Sequence, residues 1–324
     1  LPHNMPNGGL SVCRNLLPLD EFYKPHLSLY PYSTDTVSGI PLSGEEFKDN
    51  SDNKYTFIGT STGLYRLNPS KTITNISKIS YTYAAVNSQW NFLQYGQWII
   101  ATDYSDVPQV LKNLDSSNFI DLGGSPPKAK YMIFNSGHLI FANLNEGGVI
   151  SPKKLLWSAL EDVETYTPSL TTGADYQDLA DADTEITGLA PVSNLISIFH
   201  KNAISIGWFS GSPYTFNFSV NKIKKIGAIP GTQISIGSAI FFWDEKDIYV
   251  FDGNTATAIG RGVRNYILNT LNQGYLHRIT KAHDIRNGII YWAYPDASST
   301  TGESMNILCY NYRTKKFTIL YANS

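Results

Sequence analysis

The sequence predicts an all-β fold, and three observations point to it. Hydrophobic residues make up 42% of the 324-residue chain and aromatic residues 13%, while charged residues reach only 16%. An average soluble domain carries about 25% charged residues, and aromatic side chains favour the pleated surface of a strand. A pattern of apolar strand, short polar turn and second apolar strand also recurs at intervals of about 40 to 50 residues, which is typical of repeat folds.

Six candidate hairpins carry this repeat. In the fifth, residues 240–243 (IFFW) and 248–251 (IYVF) place large apolar side chains on both faces of a strand. A strand that is apolar on both faces is buried on both faces, as in a propeller, where the blades pack face to face. The sequence therefore predicts a β-propeller of six blades, whose hairpins span residues 55–67, 90–102, 131–144, 195–209, 239–251 and 289–320.

The turns and the segments that follow the hairpins support this interpretation. Gly63, Gly96 and Gly137 lie at turn positions where glycine adopts a positive φ at little cost. Four further strand-like segments are expected to be the outer strands of their blades. These segments are residues 73–79, 154–160, 214–220 and 316–321.

Two kinds of segment interrupt the strand pattern. Apolar residues recur at helical spacing over residues 263–272, and Gly274 follows as a stop, which predicts one short helix. Irregular insertions are expected near residues 33–53 and 166–183. Long loops in a compact domain are often functional or are ordered by a partner, so these two are the predicted contact regions with neighbouring subunits or an adaptor protein. The chain 1–324 is expected to form a single propeller domain.

Composition narrows the function classes. The formal net charge is −2 and the pI about 6.3, which argues against a protein that grips nucleic-acid phosphates over its outer surface. No apolar run approaches the ~18 residues needed to span a bilayer. Residues 1–4 (LPHN) show neither the basic nor the apolar region of a signal peptide. We therefore expect a soluble protein that does not contact a membrane.

The two cysteines are too few for a scaffold built from disulfides, and they favour a reducing compartment. Two buried thiols are the plain expectation, because free Cys is among the most buried residue types. A propeller ring commonly closes when one end of the chain completes a blade begun at the other. Cys13 lies in the strand-like segment 10–17 and Cys309 in the last hairpin. The sequence thus leaves open whether these two cysteines are neighbours.

Motifs for catalysis are missing from the sequence. Residues 207–211 (GWFSG) approach the Gly-x-Ser-x-Gly nucleophile turn but have the serine at the wrong spacing. The six histidines are scattered, and the closest pair, His277 and His283, does not have the helical spacing of metal ligands. We assign no catalytic residue and expect no enzyme activity.

Carboxylates give no firmer site. Asp181, Asp183 and Glu185 occupy alternate positions, as in a calcium loop, but the glycine and the later bidentate glutamate of that loop are missing. A solvated acidic loop is the alternative. The acidic turn at residues 244–247 (DEKD) lies between two strands, where polar residues belong in any case. We predict no cofactor and no metal, and leave calcium binding by the first three residues open.

One basic cluster stands out at residues 222–225 (KIKK). Such a run commonly forms a solvated face. The alternative is a contact to an acidic partner or to a few phosphate groups.

Several phrases in the later part of the chain follow one another in a set order. They are residues 156–158 (LWS), 186–189 (ITGL), 195–206 (LISIFHKNAISI), 239–253 with its ending YVFDG, 263–271, and 287–295 (NGIIYWAYP). In this order they resemble the propeller-containing tail accessory, or nozzle, proteins of short-tailed bacteriophages, also called packaged-DNA stabilisation proteins. The resemblance covers the C-terminal half to two thirds of the chain, and the first 150 residues match only in layout.

The resemblance implies a non-enzymatic component of the virion tail, assembled in the host cytoplasm. Its copies would form a homo-oligomer, a hexameric ring beneath the portal or adaptor protein. That ring would extend the DNA channel, retain packaged DNA and dock the distal tail proteins. Double-stranded DNA would pass through without sequence-specific binding. The near-neutral charge fits this role, because a channel that lets DNA slide should not hold phosphates tightly.

Two other functions stay open. A carbohydrate-binding propeller, such as a lectin or a receptor-binding tip, would use tryptophans as stacking platforms. A glycan-cleaving enzyme would instead need two carboxylates at the mouth of the central channel. The candidate platforms are Trp90, Trp98, Trp208, Trp243 and Trp292.

Overall fold

Six four-stranded antiparallel sheets make up most of the protein. The computed structural model describes residues 14–26, 30–85, 89–304 and 306–321. Each of the six sheets consists of four consecutive strands, and the first strand of one sheet lies beside the first strand of the next. The fold is therefore a β-propeller of six blades, which confirms the prediction from the sequence.

A short hairpin precedes the blades, and we label the blades A to F in chain order. The hairpin pairs β1 (Leu16–Pro18) with β2 (Tyr23–Pro25). Blade A contains β3 (Pro41–Lys48), β4 (Lys54–Thr60), β5 (Leu64–Leu67) and β6 (Ile73–Asn75). Blade B contains β7 (Asn91–Tyr95), β8 (Trp98–Thr102), β9 (Gln109–Leu111) and β10 (Ile120–Asp121). Blade C contains β11 (Lys128–Asn135), β12 (His138–Glu146), β13 (Val149–Trp157) and β14 (Asp175–Asp178). Blade D contains β15 (Ile186–Val192), β16 (Leu195–His200), β17 (Ala203–Phe209) and β18 (Phe216–Lys224). Blade E contains β19 (Ile234–Ser235), β20 (Ile240–Trp243), β21 (Ile248–Phe251) and β22 (Ala256–Ala258). Blade F contains β23 (Thr280–Asp284), β24 (Ile289–Tyr294), β25 (Asn306–Asn311) and β26 (Lys316–Tyr321).

The first strand of each blade is the innermost and the fourth is the outermost. Because all pairings are antiparallel, the segments that join one blade to the next emerge on one face of the disc, which we call the linker face. The turns between first and second strands lie on the other face, the turn face. The linker from blade E to blade F carries α1 (Arg264–Thr270) and a 3₁₀ helix (Gln273–Arg278). The predicted helix is confirmed and is shorter than residues 263–272.

Apolar side chains fill the interfaces between blades. In β20, Phe241 and Trp243 pack towards blade F, whereas Ile240 and Phe242 pack towards blade D. Trp243 lies against Trp292 of blade F with 5.7 Å between ring centroids. Strand β20 is therefore buried on both faces because it is sandwiched between two neighbouring blades, as its apolar sequence predicts.

Two buried tryptophans also make polar bonds between successive blades. The Trp90 indole Nε1–H donates to the carbonyl oxygen of Thr60 at 2.9 Å, which links blade B to blade A. The Trp292 indole donates to the carbonyl of Thr232 at 2.8 Å, which links blade F to the segment entering blade E. These hydrogen bonds satisfy indole groups that burial would otherwise leave unpaired.

The ring closes between blades F and A, where the first and last described segments meet. The N–H of Asn15 donates to the carbonyl of Ile319 at 2.7 Å, so the N-terminal segment adds to the outer strand of blade F. Leu17 and Leu19 cover Cys309 and its apolar neighbours on the face of blade F that points away from blade E. In the described part of the chain, each blade is thus built from its own four strands, and neither end completes a blade begun by the other. Cys13 lies outside the described residues.

Three predictions of strand position are wrong. The sequence predicts residues 154–160 as the outer strand of their blade, but they include the end of its third strand, β13, while β14 is outermost. The expected insertion at 166–183 contains β14, and the one at 33–53 contains β3, the inner strand of blade A. The other outer strands lie where the sequence places them, within a few residues.

We expect Trp292→Phe to lower the free energy of unfolding by about 1–3 kcal/mol, because it leaves the Thr232 carbonyl buried without its donor. Denaturant unfolding followed by circular dichroism measures this effect. Trp208→Phe is the matched control, since Trp208 is 37% exposed and the change should cost little. Equal destabilisation by both changes would contradict the assigned role of the indole bond.

Candidate functional site

The six inner strands surround a central channel on whose wall lie two residues of opposite charge. Glu45 of β3 and Lys281 of β23 are both exposed to solvent, and Lys281 Nζ donates to the carbonyl of Gln233 at 2.5 Å. Burial raises the pKa of the Glu45 carboxyl, and the Lys281 charge opposes that rise. Burial likewise lowers the pKa of the Lys281 ammonium, and the Glu45 charge opposes that fall. We attribute both pKa shifts to the walls of a narrow, water-filled channel, because neither side chain lies in a dry interior.

The side chain of Gln89 obstructs this channel at the linker face. Gln89 precedes β7 of blade B, yet its Nε2 donates to the carbonyl of Ile279, at the entrance to blade F. Its amide also lies against Gly231, at the entrance to blade E, where a Cβ would come within 2.2 Å of Oε1. Blade E is opposite blade B in a ring of six. The Gln89 amide therefore spans the axis, and this channel is not a passage for duplex DNA.

A buried pair of aspartates lies on the linker face beside the A–B interface. Asp103 is 1% exposed, and its Oδ1 accepts a hydrogen bond from the N–H of Asp106 at 3.0 Å. Asp103 Oδ2 has no hydrogen-bond partner among the described residues. Burial raises the pKa of Asp103 to about 7, and the charge of Asp106 adds to the rise. Nothing in the local sequence predicts this pair, because Asp-x-x-Asp after a strand is an ordinary turn sequence.

Tyrosines complete the surroundings of these aspartates. The Tyr81 hydroxyl donates to Asp106 Oδ1, and the hydrogen bond to this carboxylate raises the pKa of Tyr81 to about 12. Tyr83 is buried, and its hydroxyl donates to Gln109 Oε1 at 3.2 Å. Asp103 is 1% exposed and Asp106 is 6% exposed, so neither carboxylate of this cluster lies on the open surface.

The three carboxylates that resemble a calcium loop do not converge. Glu185 turns towards Lys130, with 3.4 Å between Oε2 and Nζ. Asp181 and Asp183 are exposed on the linker from blade C to blade D. Within residues 14–26, 30–85, 89–304 and 306–321, no group of three or more His, Cys, Asp or Glu side chains could hold a metal ion.

The acidic turn at 244–247 has a structural role. Asp244 Oδ1 accepts from the N–H of Gly227 at 3.1 Å, and burial raises the pKa of this carboxyl. Asp247 accepts from its neighbour Ile248 and from Arg264 of α1, the latter at 3.1 Å. These aspartates thus fix the turn and the start of the helix.

The other residues considered from sequence are also separate. His283 lies on β23 with its Nε2 3.3 Å from the Tyr312 hydroxyl, while His277 lies in the 3₁₀ helix. Ser210 of the 207–211 segment donates to the carbonyl of Tyr214, within a turn of blade D. The structure brings none of them together as a nucleophile and base.

Most of the tryptophans named as possible glycan platforms are in the core. Trp90, Trp243 and Trp292 are at most 3% exposed. Trp98 is half-buried, and the Lys112 ammonium covers its ring at 4.5 Å. Trp208 alone among these five is exposed, so they do not form a stacking surface.

Along the chain, opposite charges are concentrated in two consecutive segments of blades C and D, although Lys153 of the neighbouring strand β13 lies beside the acidic segment and donates to the carbonyl of Ala180 at 3.4 Å. Residues 158–185, the outer part of blade C and its linker, contain no Lys or Arg and eight carboxylates. Residues 186–243, which include all of blade D, contain four lysines and no Asp, Glu or Arg. The carboxylates are Glu161, Asp162, Glu164, Asp175, Asp178, Asp181, Asp183 and Glu185, and the lysines are Lys201, Lys222, Lys224 and Lys225.

No helix in the described residues is long and apolar enough to cross a membrane. No protein-family model matches the chain, and no curated protein matches it. Similar solved structures include that of the computationally designed Ika8 protein, with 10% sequence identity and a TM-score of 0.45. That likeness covers 86% of this chain and 72% of the Ika8 chain, and it assigns no function.

We expect Gly231→Ala to lower the melting temperature more than Gly237→Ala does. Both glycines have φ near +80°, so both changes strain the backbone, but only a Cβ at position 231 meets the Gln89 amide. Thermal unfolding of the two variants measures the difference. The additional change Gln89→Ala should remove it. Equal melting temperatures for the two glycine variants would contradict the placement of Gln89.

We expect stability to fall as pH rises through 7, owing to Asp103. Because its folded-state pKa of about 7 lies above the reference value of 3.8, the folded protein holds the proton more tightly than the unfolded chain. This contribution is fully present below pH 3.8 and is lost as pH rises through 7. Melting temperatures at pH 5 and pH 8, compared with those of Asp103→Asn, measure it. A pH dependence that Asp103→Asn leaves unchanged would contradict the assignment.

Proposed function

We propose that this protein is a structural component of a bacteriophage tail, a nozzle or head-to-tail connector subunit. In this role it acts without catalysis, forms a ring of copies, and contacts a portal or adaptor protein and the distal tail proteins. The ring extends the DNA channel and retains packaged DNA. Its location is the virion tail, after assembly in the host cytoplasm.

The observation that carries the proposal is the order of the resembling phrases, which fall on successive elements of blades C to F. Residues 156–158 end β13, and residues 186–189 begin β15. Residues 195–206 cover β16 and part of β17, and residues 239–253 cover β20 and β21. Residues 287–295 contain β24. The resemblance therefore follows the repeat of the fold rather than one loop.

The obstructed channel supports a ring of copies as the DNA passage. Gln89 spans the axis of the propeller at the linker face, so DNA cannot pass through a single subunit. The proposal therefore requires the passage to lie between copies, on the outer surface of each propeller. The small net charge of the chain, −2, suits this role, because such a protein holds few phosphates as DNA slides past.

The decisive experiment removes this chain from the virus that encodes it. We expect particles that lose their packaged DNA, because the ring that retains it is missing, and whose genomes become sensitive to added nuclease. Electron microscopy should show heads without the distal tail. Supplying the wild-type chain from a plasmid is the control and should restore infectious particles. Full, infectious particles that lack the chain would overturn the proposal.

A further inference from the structure

We propose that copies of this chain bind one another by placing the acidic edge of blade C of one copy on the lysine edge of blade D of another. The acidic edge comprises Asp175, Asp178, Asp181 and Asp183, and the lysine edge comprises Lys222, Lys224 and Lys225. The inference rests on the proposed function, which requires contact between copies, and names the surfaces that make it.

Both edges are exposed and belong to outer strands. All four residues of β14 (Asp175–Asp178) are exposed, and β14 pairs only with β13. Lys222 and Lys224 lie at the exposed end of β18, and Lys225 follows directly. The outer strand of a sheet leaves one row of backbone groups without a partner, which makes it a natural surface for another chain.

The two edges lie side by side in one copy but do not neutralise each other. The Asn221 side chain donates to the carbonyl of Asp181 at 2.9 Å, which holds the end of β18 against the linker from blade C. None of the ion pairs within the described ranges joins the two edges. Both edges therefore remain available to groups outside the chain.

Several nearby carboxylates and lysines form ion pairs away from the two edges, whereas Lys154 of β13 pairs with Glu146 and lies 4.3 Å over the ring of Tyr176 in β14. Glu164 pairs with Lys112 of blade B at 3.0 Å, and Glu185 pairs with Lys130. Lys201 of blade D lies 3.8 Å from Glu245 of blade E. Within the described residues, the side chains that form no ion pair include those of the acidic edge, with Glu161 and Asp162, and those of the lysine edge, of which Lys222 donates to the carbonyl of Gly253 at 3.4 Å.

Exposed aromatic side chains at the turn-face end of the same seam give the contact an apolar part. Phe209 is 44% exposed and Tyr214 is 72% exposed, and Trp208, which precedes Phe209, is 37% exposed. The Thr215 hydroxyl donates to the carbonyl of Gly173 at 2.8 Å, which ties this end of blade D to the loop of blade C. Apolar groups beside complementary charges are typical of interfaces between proteins.

The pattern of charge selects a second copy as the partner. An acidic edge repels another acidic edge, and a lysine edge repels another lysine edge, so only the unlike pairing is favourable. Isolated charges on outer strands would suffice to prevent aggregation. Complete separation of the two signs over residues 158–243 goes further, and gives every copy a surface that fits the next one.

Reversal of charge on each edge tests this contact. The lysine-edge variant combines Lys222→Glu, Lys224→Glu and Lys225→Glu, and the acidic-edge variant combines Asp175→Lys, Asp178→Lys and Asp181→Lys. Sedimentation velocity over a concentration series at low and high salt measures the dissociation constant. We expect each variant alone to weaken self-association about tenfold or more, and high salt to weaken that of the wild-type protein.

Mixing the two variants gives the sharpest result. One carries two positive edges and the other two negative edges, so the mixture should associate although neither variant does so alone. Matched controls make the same charge changes elsewhere, at Lys24, Lys71 and Lys315 or at Glu21, Asp115 and Glu303. The controls should associate as the wild-type protein does. Unchanged melting temperatures show that the exposed changes leave the fold intact.

Several outcomes would overturn the contact. One is a wild-type protein that stays monomeric at every protein and salt concentration. Another is a charge-reversed variant that associates as the wild-type protein does, or a mixture of the two variants that does not associate. A third is a lysine edge that binds a short DNA duplex, measured by fluorescence anisotropy, while its reversal leaves self-association unchanged. The DNA retention of particles that lack the chain is measured separately, so the proposed function can survive failure of this contact.

Discussion

Face-to-face packing of neighbouring blades is the constraint on which the rest of the structure depends. A strand such as β20 is apolar on both sides, so it is stable only with a blade on each side of it. Every blade needs two neighbours, and the ring must therefore close. At the seam between blades F and A, Leu17 and Leu19 of the N-terminal segment cover part of the exposed face of blade F.

The same constraint explains what could be predicted from the sequence. The middle strands of a blade touch neighbours on both faces, and their continuous apolar sequence reveals the hairpins and the number of blades. Strands β3 and β14 were missed because they are the innermost and outermost strands of their blades. One faces the channel with Gly44, Glu45 and Glu46, and the other faces solvent with the sequence DYQD. Contact with water removes the apolar pattern on which the prediction depends.

The candidate sites depend on residues that are far apart in the chain. Gln89 meets Ile279 and Gly231 only because three linkers converge at the axis. Asp103 acquires its raised pKa from burial, which its local sequence does not reveal. The shift from acidic to basic composition at residue 185 is visible in the sequence. Only the structure shows that this change coincides with the boundary between blades C and D, so that the acidic and basic segments form two adjoining edges.

The attachment of the N-terminal segment to blade F has a mechanical consequence. Asn15 bonds to Ile319 in the last strand, so the first and last described strands belong to one layered unit. A force applied at either end of the chain is carried first by blade F and its hairpin, and reaches the other five blades only after that unit separates. Blade F therefore bears the load first, and the interfaces from blade A through blade E are shielded from tension until it separates.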